Sequence, residues 1–146
     1  MYIDRNALEE YPFWGCIYRK EVADKSVPPS QWVSKQVAIL VTACDIQSGS
    51  NSKSGSDGSI SNGYDVYFKF DRREGIKVRS GDYFCGEMYG LPVHGEVIGV
   101  SVSQLGGCKI TIKAISESAD NILGLLHNGD VITYGHVIPY YAKDEA

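Results

Sequence analysis

The dominant period along the chain is two. In "YDVYFKFD", Val66, Phe68 and Phe70 fall on one side of an extended chain, and Asp65, Lys69 and Asp71 on the other. That is the alternation of a half-buried strand. "CKITIKAI" repeats it, with Cys108, Ile110, Ile112 and Ala114 inward and Lys109, Thr111 and Lys113 outward. Gly106-Gly107 ahead of it is a hairpin signal. "EMYGLPVHGEVIGVSVS" predicts two strands meeting at Gly90, the second setting Val100 and Val102 against serines. "IKVRSGDYF" predicts a short strand with a tight bend at Ser80-Gly81-Asp82. Nearer the start, "FWGCIYRK" is rich in aromatic and β-branched residues and reads as the first strand. Pro28-Pro29 then break regular structure by fixing φ and removing two amide donors. "QVAILVTACDI" is nearly free of charge, which predicts a strand buried on both faces.

A helical period occurs once, in "ADNILGLLH". Ser118 is placed to cap its start, Asn128-Gly129 to end it, and His127 to sit at the negative end of the dipole. Gly124 limits it to about two turns. "DVITYGHVIPYY" returns as a last strand. Short strands with turn signals at roughly ten-residue spacing predict one all-β domain over residues 1–146, a β-barrel or sandwich with one short helix near the C-terminus.

One stretch belongs to neither period. Residues 47–63 number seventeen, of which eleven are Gly or Ser, and Ile60 is the only large aliphatic. Fixing such a backbone costs about 1–2 kcal/mol per residue, on the order of 20 kcal/mol in all. Burying Ile60 returns only about 2 kcal/mol. The expectation is a mobile loop in the free chain. Closing it costs about 2–3 kcal/mol beyond a constant, so the domain tolerates it. Extended and doubled back, it reaches roughly 25 Å. Order requires backbone hydrogen bonds to copies of itself or to a partner.

Composition narrows the chemistry. A net charge of −4 and a pI near 5.3 argue against a dedicated nucleic-acid binder, and the basic residues are scattered, with Arg72-Arg73 the densest pair. No apolar run approaches the roughly 18 residues of a membrane span. "MYIDRNALEEYPFW" lacks the basic-then-apolar order of a secretory signal, so a cytoplasmic chain, or one that reaches its place by assembly, is expected. Cys16, Cys44, Cys85 and Cys108 form no CxxC and sit in apolar settings; reduced, structural thiols are expected.

The chain lacks the common catalytic and cofactor motifs. In the Gly/Ser loop, Lys53 follows a serine rather than a glycine, and a strand rather than a helix comes next, so the phosphate-loop pattern fails. No GxGxxG, GxSxG or HExxH occurs. His94, His127 and His136 have no close pairing in sequence, and satisfied or surface histidines are the expectation. No active site, cofactor or metal is therefore expected. Ten tyrosines, with Tyr134, Tyr140 and Tyr141 near the C-terminus, suit contact surfaces, carbohydrate or base stacking, or the edges of a barrel core.

The order of these features resembles the small head–tail joining proteins, adaptors or stoppers, of long-tailed bacteriophages and prophages. The resemblance runs from Phe13 to Ile115 through "VAILVTACDIQ", the polar loop, "YDVYFKF", "GIKVRSGDYF" and "CKITIKAI". The proline-containing segment before Trp32 and the helix and strand after Ile115 depart from it. It implies a structural, non-enzymatic virion protein at the head–tail junction, assembled in the bacterial host cytoplasm. Its partners would be a portal or adaptor ring and tail proteins, with DNA only as passing cargo and no membrane. The subunit would form a homo-oligomeric ring below the portal, and be a monomer when free. The family's channel loop maps by position onto 47–63: Gln47, Ser48, Gly49, Ser50, Asn51 and Lys53 on its leading half, then Gly55, Asp57, Gly58, Ile60, Asn62 and Gly63. Two other readings remain open: an OB-like nucleic-acid module using Tyr64, Tyr67 and Lys69, and a carbohydrate-binding module using the C-terminal tyrosines.

Overall fold

In the computed structural model, residues 11–22, 24–48, 63–69, 78–102, 107–130, 132 and 135–138 are described. Seven strands, one α-helix and a three-residue 3-10 helix (Pro29–Gln31) are found among them: β1 (Phe13–Val22), β2 (Ser34–Ser48), β3 (Gly63–Lys69), β4 (Tyr83–Met88), β5 (Leu91–Val102), β6 (Gly107–Ala114), α1 (Asp120–His127) and β7 (Val137–Ile138). The sheet runs β1-β4-β5-β6-β3-β2, and β2 then pairs with β1. Six antiparallel strands thus form a closed ring of hydrogen bonds, with β7 added to the outside edge of β2. The all-β expectation with a short C-terminal helix holds.

Alternation delivers two cores. Inward residues of every ring strand, among them Ile17, Ile46, Val66, Phe68, Phe84, Val97, Ile110 and Ile112, fill the barrel. Of the inward set predicted for β6, Cys108, Ile110 and Ile112 belong to this core, whereas Ala114 at the strand's end is half-buried and outside it. A second core lies on the barrel's outer surface, where Cys16 and Tyr18 of β1, Ala38 of β2 and Cys85 of β4 are covered by Ala119, Ile122, Leu123, Ile132 and Ile138. This explains the uncharged run in β2. Ile39 faces the barrel interior and Ala38 the outer cover, so both faces are buried, though only along that half of the strand.

Closing so small a ring demands sharp bending, and the sequence provides it twice over. Residue Ile39 is extra on β2, between the pairs Ile17↔Leu40 and Tyr18↔Ala38, and Ile98 is extra on β5 against β6. Each is a β-bulge that raises local twist. Gly15 of β1 faces Gly86 of β4, and the Phe84 ring lies where their side chains would be. At Gly95, a Cβ would come within 2.6 Å of the Lys113 carbonyl oxygen, so backbone occupies the side-chain position.

Helix α1 differs from expectation at its start. Ala119, not Ser118, occupies the cap position, and Ser118 Oγ accepts from the Asp120 N–H at 3.4 Å. The C-terminus ends as predicted near Asn128-Gly129. There Asp130 N–H donates to Leu125 C=O at 3.1 Å and Gly129 N–H to Leu126 C=O at 3.4 Å, the paired bonds of a Schellman motif. His127, in the last turn, is joined to Glu87 of β4. Of the predicted last strand, Val137–Ile138 are paired, with Gln36 and Val37 of β2.

Gly95→Ala should lower stability by about 1–3 kcal/mol, because the clash is with backbone that other strands hold. Gly99→Ala, whose Cβ would meet nothing closer than Thr111 at 3.9 Å, should change it by less than about 0.5 kcal/mol. Urea denaturation of the two variants measures both.

Candidate functional site

The antiparallel order sorts the connections by barrel end. β1, β3 and β5 begin at one end, where β2, β4 and β6 finish. That end therefore carries the 49–62 connection, the β4–β5 turn and the chain leaving β6. β2 also outruns β1: Phe13 pairs with Cys44, and Asp45–Ser48 go on to pair with Tyr64–Tyr67 of β3. Of the candidate channel-loop residues, Gln47 and Ser48 end β2 and Gly63 begins β3. Gln47 is exposed and donates from Nε2 to Asp45 Oδ2 at 2.6 Å. Gly49, Ser50, Asn51, Lys53, Gly55, Asp57, Gly58, Ile60 and Asn62 lie outside the described residues.

The same rim presents apolar side chains. Tyr89 is 86% exposed, Leu91 66% and Trp14 64%. Tyr89-Gly90 forms a two-residue turn between Met88 and Leu91, with φ of 52° and 81°. Positive φ at both positions suits the right-handed twist of the hairpin, but at tyrosine it costs about 1–2 kcal/mol. Part of that is offset by an edge-to-face contact with Phe13, with ring centroids 5.1 Å apart.

Beside this rim, a cleft of about 260 Å³ lies between the start of β5 and the chain entering α1, lined by Tyr64, His94, Ile115, Ser116, Glu117 and Asp120 among others. His94 is buried and has both ring nitrogens engaged. Its Nδ1 is 2.7 Å from the Glu117 carbonyl oxygen, which can only accept, so Nδ1–H donates there. Nε2 then accepts from the Tyr18 hydroxyl. Burial pushes the His94 pKa below its ordinary value, the Glu117 carbonyl opposing this, and burial pushes the Tyr18 pKa up. Both shifts favour the neutral tautomer that this geometry requires. Lys20 adds a tie at the same place, 2.9 Å from the Glu117 carboxylate and 4.4 Å above the Tyr83 ring centroid. The assembly clamps residues 115–119 to the barrel; it leaves His94 no free nitrogen for a substrate.

The other histidines are elsewhere, His127 on Glu87 and His136 accepting the Ala38 N–H at its backbone carbonyl. Among the described residues no group of three His, Cys, Asp or Glu could hold a metal ion. At the far end of the barrel, Arg19 grips buried Asp82 with two nitrogens, Nε at 2.7 Å and Nη2 at 3.1 Å, and the Arg79 N–H donates to the same carboxylate at 2.9 Å. This fixes the bend predicted at Ser80-Gly81-Asp82. Sequence reading missed both the Tyr18–His94 and Arg19–Asp82 pairs, whose members are 76 and 63 residues apart.

The residues of the OB-like reading separate. Tyr64 packs against the barrel interior, whereas Tyr67 pairs with Asp45 and Lys109 on the outer face. Tyr134, Tyr140 and Tyr141 lie outside the described residues. No helix among the described residues is long and apolar enough to cross a membrane. No protein-family model and no curated protein matches the chain.

The His94 clamp predicts a pH dependence. A base whose folded pKa is depressed contributes stability that is present above its ordinary value of 6.5 and lost as the pH falls through the folded value. His94→Gln keeps one donor and one acceptor without titrating. The stability advantage of the native chain over His94→Gln should shrink between about pH 8 and about pH 5. A difference that stays constant across that range would rule out a depressed His94.

Proposed function

We propose that the chain is a structural subunit of the head–tail junction of a long-tailed bacteriophage or prophage, working as an adaptor or stopper. In this reading it forms a homo-oligomeric ring below the portal, with the connection between β2 and β3 directed into the channel to help retain DNA. The observation that carries the reading is the course of β2 and β3. They run beyond the end of β1 and hand the chain to a long polar connection at the rim where Tyr89, Leu91 and Trp14 are exposed. A rigid ring of strands below, with a polar arm and apolar contacts above, suits a part whose work is done against neighbours.

Charge supports the same reading. Residues 47–63 contain one lysine and one aspartate, and the whole chain carries −4. DNA leaving the head must not be gripped, and phosphate binding would follow from a lysine-rich arm. The OB-like alternative is weakened because Tyr64 and Tyr67 do not share a face.

The test replaces residues 48–62 with a two-residue turn in the gene as carried by the phage or prophage. Gln47 and Asp65 are register partners, so the shortened strands can still be joined. The variant should fold with an unchanged unfolding midpoint, while lysates accumulate unjoined or emptied heads visible by electron microscopy. Infectious particles at wild-type titre would refute the channel-arm role. A variant that cannot fold would make the connection structural and refute it equally.

A further inference from the structure

The barrel partitions its four cysteines. Cys44 and Cys108 point into the interior core. Cys16 and Cys85 belong to the outer core, where they are direct register partners on adjacent antiparallel strands β1 and β4. We propose that Cys16 and Cys85 form a dithiol–disulfide pair, gated by the α1 segment that covers them.

Directly opposed residues in an antiparallel pair have Cα atoms about 4.5–5.5 Å apart, with side chains on the same face. Disulfides span Cα separations of about 4.4–6.8 Å, so this register is compatible with the bond. Neither cysteine is bridged in this structure, and both are fully buried. The cover accounts for their protection. Cys85 Sγ is 4.0 Å from the carbonyl oxygen of Ala119, the residue at the cap of α1. Burial raises the pKa of both thiols, Cys16 to about 12, so neither is nucleophilic while α1 is seated.

The cover is also the part of the fold best suited to opening alone. Helix α1 has eight residues with Gly124 among them and no side-chain cap bond, and β7 has two residues. Both lie outside the closed ring of strands. Short elements peripheral to a core open locally at lower free energy than the whole.

The chemistry balances with a small-molecule disulfide as oxidant. Once α1 lifts, one cysteine thiolate attacks the disulfide, forming a mixed disulfide and releasing one small thiolate. The second cysteine thiolate attacks the protein sulfur of that mixed bond, forming Cys16–Cys85 and releasing the other. Two electrons pass to the small molecule, and the two cysteine protons end on the two released thiolates.

The experiment incubates the native chain with oxidised glutathione in mildly alkaline buffer and maps disulfides by mass spectrometry. The expected result is one Cys16–Cys85 bond, with Cys44 and Cys108 still reduced. Ile122→Ala, which removes a fully buried cover residue, should accelerate formation about tenfold or more. Sub-denaturing urea, which favours local opening, should do the same and serves if that variant does not fold. In Cys85→Ser the glutathione adduct on Cys16 should persist unresolved. Oxidation of Cys44 or Cys108 as fast as the outer pair would overturn the proposal. So would lasting adducts on both outer cysteines of the native chain, or oxidation that occurs only on global unfolding.

Discussion

β1 is hydrogen-bonded along both edges, to β2 over its whole length and to β4 from Gly15 to Tyr18. That double pairing is the constraint on which the rest of the fold depends. It removes the exposed edges that an open six-stranded sheet would leave, and it fixes which side chains are inside. The condition for it is curvature. The bulges at Ile39 and Ile98, the Gly15–Gly86 contact filled by Phe84, and the close approach at Gly95 all serve that one requirement. Large interior side chains then fill the ring, and the pairing of half-buried Arg19 with buried Asp82 secures the bend leading into β4.

Closure also creates an outside, and one portion of it is too apolar to face water. Cys16, Tyr18, Ala38 and Cys85 form that portion. Helix α1 and β7 cover it, and polar contacts set their position. Asn121 Nδ2 donates to Gln36 Oε1 at 3.1 Å, and His94 holds the Glu117 carbonyl. The cover leaves the loop-bearing rim open. Rigid ring, attached cover and open rim are three separable parts, which is why the proposed assembly role and the proposed thiol chemistry can fail independently.

Periodic residues made much of this legible in the sequence. The alternation in Cys108–Ile112 and in Val66–Phe68 depends only on local geometry, and these residues sit as it predicts, although Asp65, on the outward side of β3, is buried. The stop at Asn128-Gly129 is likewise a local matter. The partners across the fold were not legible. Nothing near Tyr18 indicates His94, and nothing near Arg19 indicates Asp82, because closure brings them together. The start of α1 was misplaced by a residue, since Ser118 can reach the Asp120 amide without holding the cap position. For the candidate loop, sequence supplied the cost of ordering it, and the structure supplied its two anchors, Ser48 and Gly63.

If the ring of strands were open between β1 and β2, the two cores would merge, the rim would lose its definition, and the surfaces assigned to assembly would be different ones. Amide hydrogen exchange followed by NMR tests closure most directly. The amides of Cys16, Ile17 and Tyr18, which have a paired strand on either side, should exchange only through global unfolding, as slowly as the interior strand β6. Exchange of β1 amides well ahead of β6, in the manner of an edge strand, would show an open sheet and contradict the account.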